Sequence, residues 1–182
     1  MDDLEVLATL QAEAATWTKR NFPNQPAYHP LLGVVEEIGE MLEAKHAGNE
    51  AGVRDAFADV IIFVSNLCTH HDLSIARLWS GRFSSFPLLL PTDQPPGKTV
   101  VPAFDSLIIA AARVAHHRLK YEQKIRGNSH DHLHKMANAL ELLLACVDVL
   151  MPGVVHVAFK IWREEVQPRN WRSEAKELTA GT

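Results

Sequence analysis

Four glutamates occupy three turns of the stretch LLGVVEEIGEMLEAKH, at residues 31–46, and few basic residues lie near them in the sequence. With Ile38 at the centre of the apolar stripe, Glu37 falls at the border of that stripe. Glu36, Glu40 and Glu43 then point away from it. Taken alone, this helix favours an ordinary acidic face in contact with water.

Asp59 changes that interpretation because it lies inside the apolar run DAFADVIIFVSNLC. A helix that is apolar around its whole circumference is buried, so Asp59 is expected in the interior. A buried carboxylate without a partner is costly and needs a proton, a cation or a metal. Asp55 lies one turn earlier on the same side of the helix. An antiparallel neighbour would bring Glu37 and Glu40 opposite Asp59, and such an all-oxygen site suits Mg²⁺ or Mn²⁺.

The elements that must position these acids are helical almost throughout, since apolar residues recur with helical periodicity and no alternating strand pattern occurs. The pattern predicts an all-α protein with helices at about residues 3–20, 31–47, 50–70, 73–83, 104–121, 131–151 and 154–166. The run FPLLLPTDQPPGKTVVP is too rich in proline to be regular helix. It divides the chain into a first unit at 1–86, a connector at 87–103 and a second unit at 104–182.

The second unit resembles a degenerate copy of the first, which predicts two tandem, related helical units. An offset of 75 residues pairs Leu32 with Leu107 and Val34 with Ile109, and an offset of 83 pairs Trp79 with Trp162. The acids are not repeated. At these offsets Glu36, Glu37, Glu40, Asp55 and Asp59 correspond to Ala111, Ala112, Ala115, Asn138 and Leu142. We therefore infer that the acids are not required for folding.

Composition and net charge argue against several classes of protein. The chain has 182 residues, of which 47% are hydrophobic, and a net charge of −4. That charge argues against a protein that holds a nucleic-acid polymer on a basic surface. The acidic start MDDLEVLATLQ is unlike a signal peptide, and charged residues interrupt the most apolar stretch, so no membrane span is expected. Cys68 and Cys146 lie in apolar runs and are expected to be buried free thiols of a cytoplasmic protein.

The motif EExGE, followed by D-x-x-x-D in an apolar helix, resembles the MazG-like all-α nucleoside triphosphate pyrophosphohydrolases, which are related to the dimeric dUTPases. About residues 12–80 carry this resemblance. IWREEVQPRNW is similar to the closing helix of these domains, and KYEQKIRG to the basic loop that follows their acidic helix. One departure is that the family commonly has E-x-x-D on the second helix. Here Asp55 lies four residues before Asp59, and Ala56 stands at the usual position.

The resemblance implies a helical bundle that cleaves a nucleoside triphosphate between its α and β phosphates, releasing the monophosphate and pyrophosphate. It implies Mg²⁺, or Mn²⁺, as the cofactor. The implied catalytic residues are Glu36, Glu37, Glu40 and Asp59, and the implied metal ligands are Glu37, Glu40, Asp55 and Asp59. Candidate contacts to phosphate, sugar or base are Lys45, Lys120, Arg126, Asn66, Trp17 and Phe22. Each of these six also fits a structural interpretation, as a surface charge, a polar cap or a core aromatic.

Two other classes of function remain open. A non-catalytic nucleotide- or metal-binding regulator is consistent with the shifted Asp55 and with the acid-free second unit. A helical interaction module with solvated glutamates is disfavoured by Asp59. The second unit would supply the packing surface that a partner subunit supplies in single-copy relatives, and the apolar runs 60–64 and 140–144 favour a homodimer. The histidines of HDHLH are expected to face solvent rather than a metal.

Overall fold

The computed structural model describes residues 1–82, 103–124 and 129–170, and all regular structure in these ranges is helical. The all-α prediction is therefore confirmed for the described residues. Their helices are α1 (Asp3–Asn21), α2 (His29–His46), α3 (Glu50–His70), α4 (Ile75–Gly81), α5 (Ala103–Gln123), α6 (Ser129–Leu150) and α7 (Val154–Ile161). A π-helical turn, Trp162–Val166, follows α7. Nearly all of the predicted connector at 87–103 lies outside the described residues.

Local sequence signals account for the helix ends. Asp2 caps α1 and forms a reciprocal capping box with Glu5, with nitrogen–oxygen distances of 2.9 and 3.0 Å. Asn49 caps α3 by accepting a hydrogen bond from the backbone N–H of Gly52. α2 begins at His29, two residues before the predicted start, because proline at the first turn of a helix needs no backbone N–H.

Two antiparallel helical hairpins, α2–α3 and α5–α6, make up most of the fold. A short helix follows each hairpin and packs against the other one, so that α4 lies on α6 and α7 lies on α3. An ion pair between Arg82 Nη2 and Asp148 Oδ2, at 2.9 Å, joins the end of α4 to α6. α1 packs across α3, α4 and α7. Because α4 packs on α6 and α7 packs on α3, the two predicted units are in direct contact with each other.

One hydrophobic core runs through both predicted units. Trp79 and Trp162 are among its largest fully buried side chains. The apolar runs 60–64 and 140–144 lie largely inside this core, where they pack within the chain. They therefore do not supply the exposed surface from which a homodimer was inferred, and that argument is wrong. The homodimer itself stays a prediction.

The burial pattern bears on the proposed duplication. At the offset of 83 residues, most of the buried positions of α3 fall on buried positions of α6, and Trp79 and Trp162 are both buried. The offset of 75 between α2 and α5 does not match in the same way, because Leu32 is 59% exposed while Leu107 is fully buried. A shift of one residue restores the match, pairing Leu31, Val34 and Ile38 with Leu107, Ala110 and Val114. The duplication stays a prediction, and at the corrected offset the acids of α2 are still not repeated.

The cysteines, the histidines of HDHLH and the apolar helices were also the subject of sequence predictions. Cys68 and Cys146 are both buried and form no disulfide, as predicted. His132, which was expected to face solvent, is instead buried, with its ring centroid 6.0 Å from that of His117. No single described helix is long and apolar enough to cross a bilayer; the pair His130–Leu150 and Val154–Val166, bent by 97°, meets the criterion by length and composition only when both helices are taken together.

Candidate functional site

α2 places its glutamates on two sides. Glu37 is 9% exposed and lies beside the buried Ile38. Glu36, Glu40 and Glu43 are exposed. The helical periodicity of the sequence therefore identified which carboxylate lies at the border of the apolar stripe.

The hairpin is closely packed next to these acids. A Cβ atom added at Gly33 would lie 2.4 Å from Cε1 of Phe63, so only glycine fits this approach of α2 to α3 without movement of the ring. Gly33 is one turn before Glu37 on α2, and Phe63 is one turn after Asp59 on α3. The absence of a side chain at Gly33 thus allows the two helices to present their carboxylates to one another.

α3 contributes the remaining acids. Asp59 is half-buried rather than fully enclosed, and Asp55, one turn earlier, is exposed. We call Glu36, Glu37, Glu40, Asp55 and Asp59 the acidic cluster. None of the five carboxylates has an ion pair or a side-chain hydrogen bond among the described residues.

Burial and nearby negative charges raise the pKa of two carboxyls of the cluster, Glu37 and Asp59. Burial, and then the charge of Asp59, raise the pKa of Glu37 to about 8, with smaller contributions from Glu40, Glu36 and Asp55. Burial, followed by the charge of Asp55, raises the pKa of Asp59 to about 6. Each carboxyl therefore holds a proton more tightly in the folded protein than in an open chain.

Two residues that sequence reasoning did not assign to the site also act on Asp59. The charge of Glu165 raises the pKa of Asp59 and that of Arg169 lowers it. Both belong to residues 162–170, which we call the closing segment. The motif IWREEVQPRNW predicts this segment as the closing helix of the domain. Its arginine, Arg169, is the feature of the sequence that could have indicated a role at the site. Trp171, the last residue of that motif, lies outside the described residues.

α1 holds the closing segment against the rest of the protein. Trp162 Nε1 donates a hydrogen bond to Glu13 Oε2 at 3.0 Å, and Arg163 forms an ion pair with the same carboxylate. Trp17 Nε1 donates to the backbone oxygen of Arg169 at 3.2 Å. The segment starts with a π-helical turn, a distortion found frequently at functional sites.

The predicted substrate contacts next to α1 and on α3 are Trp17, Phe22 and Asn66, and each of them contacts other side chains of the protein. Asn66, two turns beyond Asp59 on the same side of α3, accepts a hydrogen bond from Thr18 Oγ1 at 3.1 Å. Trp17 is buried and packs edge-on against Trp162 and Phe22, with ring centroids 5.6 and 5.7 Å away. Trp17 also lines an open groove of about 350 Å³ between α1 and the closing segment, together with Ala12, Glu13, Thr16, Arg20 and Gln167.

The predicted basic contacts are not brought to the cluster. Lys45 lies about 12 Å along α2 from Glu37, and its Nζ sits 3.2 Å from the ring centroid of Phe104. Lys120 is half-buried near the end of α5. Its neighbour Tyr121 packs against the end of α3, beyond the cluster. Arg126 lies outside the described residues.

The donor atoms of the cluster fit a hard divalent cation, because all of them are carboxylate oxygens. Burial is the main cause of the raised pKa values of Glu37 and Asp59, and repulsion among the acids adds to it; a bound cation would offset both, because it favours the charged carboxylates. Among the described residues, however, no group of three or more histidine, cysteine, aspartate or glutamate side chains is placed so that it could hold a metal ion.

No family model, curated protein or solved structure matches the chain. The acidic cluster and its surroundings are therefore the features that bear on the chemistry of the chain. Those surroundings are the close α2–α3 contact at Gly33, the closing segment with Arg169, and the groove beside Trp17.

Proposed function

We propose that the protein is a metal-dependent nucleoside triphosphate pyrophosphohydrolase that acts at the acidic cluster. The observation that carries the proposal is the buried Glu37 carboxyl, whose pKa is raised to about 8 beside four other acids. Such a cluster is unfavourable at neutral pH unless a proton or a cation neutralises it. The EExGE motif of α2 and its similarity to MazG-like pyrophosphohydrolases add the reaction class.

The chain's own carboxylates would hold the metal, with Glu37, Glu40, Asp55 and Asp59 as ligands. When bound, Mg²⁺ or Mn²⁺ would neutralise the triphosphate and make a coordinated water more acidic. Glu36, exposed at the edge of the cluster, is available to accept a proton from the attacking water. Arg169, whose charge acts on Asp59, would stabilise phosphate oxygens on the side of the closing segment.

The groove beside Trp17 is the proposed place for the nucleoside. Arg20 lines it with a guanidinium that can stack on a base, and the small exposed part of the Trp17 ring adds apolar contact. The hydrogen bond from Trp17 to the backbone of Arg169 connects this groove to the segment that reaches Asp59. We infer that a nucleotide whose base lay in the groove would have its phosphates near the closing segment, whose Arg169 acts on Asp59.

A second candidate is a regulator that binds a nucleotide or a metal without cleaving it. The observation in its favour is that the described carboxylates do not form a complete metal geometry as they stand, with Asp55 exposed. The third class, a helical interaction module, is disfavoured because Glu37 is buried and strongly perturbed rather than solvated.

The test is pyrophosphate release from a panel of ribo- and deoxyribonucleoside triphosphates with Mg²⁺, Mn²⁺ or EDTA. We expect metal-dependent release that falls by about a hundredfold or more in Glu37→Gln and Asp59→Asn. Glu43→Gln, an exposed glutamate on the same helix, is the matched control and should keep full activity. If no substrate releases pyrophosphate in a metal-dependent manner, the proposal that the protein is an enzyme is rejected. Calorimetric titration with Mg²⁺ and a non-hydrolysable analogue would then distinguish a regulator from an interaction module.

A further inference from the structure

A buried arginine lies apart from the acidic cluster and lacks partners for most of its donors. Arg118 on α5 is 6% exposed, and its Nη2 forms an ion pair with Glu122. Its Nε and Nη1 atoms are buried and have no hydrogen-bond partner among the described residues. Leaving buried donors of a charged group unsatisfied is costly, so this guanidinium calls for an additional acceptor.

A second buried donor lies beside it. His71, at the C-terminal end of α3, is 9% exposed, and its Nε2 is also buried without a hydrogen-bond partner. Tyr121 contacts both side chains: its ring centroid is 5.9 Å from that of His71 and 5.4 Å from Cζ of Arg118. Burial, and then the charge of Arg118, lower the pKa of His71 to about 4. The imidazole is therefore neutral at pH 7, and in the tautomer with its proton on Nε2 it donates from that atom.

This place is separate from the proposed catalytic site. His71 follows Asp59 by twelve residues, which is roughly 18 Å along the helix and a third of a turn around it. Two acids lie near the pair. Glu122 is engaged through Nη2 of Arg118, and Asp72 is exposed. His70, on the same helix end, has its pKa lowered by burial and by Arg118. The unsatisfied groups at this place are thus nitrogen atoms, with a full positive charge among them.

We propose that Arg118 and His71 form a binding site for a small oxyanion, of the phosphate or carboxylate class. An oxyanion has only acceptor atoms, so it complements the free donors on Nε and Nη1 of Arg118 and on Nε2 of His71. Its negative charge also compensates a guanidinium that Glu122, exposed at the rim, neutralises only from one side. A water molecule is a poorer match because it brings donors of its own and no charge. The site does not depend on the proposed catalytic function.

The experiment uses the full chain in EDTA, so that no metal can bring phosphate to the acidic cluster, at ionic strength held constant with chloride. Inorganic phosphate and acetate are titrated separately. ¹⁵N NMR follows the side-chain Nε–H resonance of Arg118 in the wild type and, in every variant, the backbone amide resonance of Tyr121, which contacts both proposed anion-binding side chains. We expect a saturable shift with one of the two anions. Affinity should fall by about tenfold or more in Arg118→Gln and by about threefold in His71→Asn. Arg113→Gln, which alters an exposed arginine on the same helix, should leave it unchanged.

Comparison of the phosphate titration with the acetate titration shows which class of oxyanion the site prefers. A tighter response to phosphate assigns the phosphate class, and a tighter response to acetate assigns the carboxylate class. If Arg118→Gln does not fold, Arg118→Lys keeps the charge but removes the fork of donors, and it should also weaken binding by about tenfold. The proposal is overturned if the wild-type resonance responds to neither anion, or if binding persists undiminished in the Arg118 variant.

Discussion

The carboxylate of Asp59 on α3 is, after burial itself, the largest cause of the raised pKa of Glu37 on α2. The two side chains belong to adjacent helices of one hairpin, whose close approach is permitted by Gly33 one turn away. Their repulsion means that the native packing around the cluster carries an electrostatic cost that a proton or a cation can relieve. The stability of the fold should therefore respond to both.

The first prediction concerns pH. A carboxyl whose pKa is raised on folding binds more protons in the folded state, so stability falls as pH rises from the unfolded pKa of 4.5 toward the folded value of about 8. The lowered pKa of His71 makes stability rise with pH instead, but only below about pH 6.5, where the unfolded histidine binds a proton. Between pH 7 and pH 8 we therefore expect the free energy of unfolding of the metal-free protein to decrease by about 1 kcal/mol.

Urea denaturation in EDTA at several values between pH 7 and pH 8 measures this slope. Glu37→Gln should remove most of it and raise stability at pH 8, because the neutral amide carries no charge to repel Asp59. Glu43→Gln should leave the slope as it is in the wild type. An equal slope in the Glu37 variant would show that another group titrates in this range.

The second prediction concerns the cation. Mg²⁺ should raise the melting temperature at pH 8 in a saturable manner, with a stabilisation of about 2.7 kcal/mol at a hundred times the dissociation constant. Asp59→Asn should lose most of this response, and Glu43→Gln should retain it. Glu37→Gln is informative because it should be more stable than the wild type without metal and yet respond weakly to Mg²⁺. A full response in both cluster variants would place the cation elsewhere.

Local sequence signals determined a large part of the fold, and the reasons are physical. Helical periodicity identified the helices, including the match of α3 to its predicted bounds, and it placed Glu37 at the edge of the buried stripe. Asp2 and Asn49 marked helix starts through side-chain capping. These features depend on residues within a few positions of each other.

The missed parts of the site depend on contacts that are distant along the chain. Arg169 and Glu165 reach Asp59 because the closing segment packs on α1, and the bond from Trp162 to Glu13 that holds it spans 149 residues. Lys45 shows the converse, since its type and position suggested a phosphate contact while the fold places it over Phe104. Helical periodicity does not predict either contact, the closing segment on α1 or Lys45 on Phe104, because both join residues that are distant along the chain.

The third prediction tests the close approach of the two helices. Gly33→Ala should lower the free energy of unfolding by about 1–3 kcal/mol, because the new Cβ would overlap the ring of Phe63. Gly39→Ala on the same helix is the matched control: a Cβ there meets no atom within 4 Å, and alanine should stabilise the helix by about 0.5–1 kcal/mol. Adding Phe63→Leu to Gly33→Ala should recover part of the loss. Equal effects of the two glycine substitutions would contradict the packing argument.

The fourth prediction concerns the attachment of the closing segment. The carboxylate of Glu13 accepts hydrogen bonds from Trp162, Arg163 and Gln167, so Glu13→Ala removes three contacts at one point. We expect amide hydrogen exchange in residues 162–170 to accelerate by about tenfold, while exchange in α2 and α3 changes little. On the proposed function, pyrophosphate release should also fall, because Arg169, whose charge acts on Asp59, would be held less firmly.

Glu164→Ala is the control for Glu13→Ala. Glu164 lies within the closing segment, but its only ion pair among the described residues is a long one with Lys160, at 3.8 Å. The control substitution should leave both exchange and activity close to wild-type values. Unchanged exchange in residues 162–170 of Glu13→Ala would mean that the segment is held mainly by the buried ring of Trp162. In that case Trp162→Phe, which keeps most of the apolar contact but removes the Nε1 donor, should behave like the wild type as well.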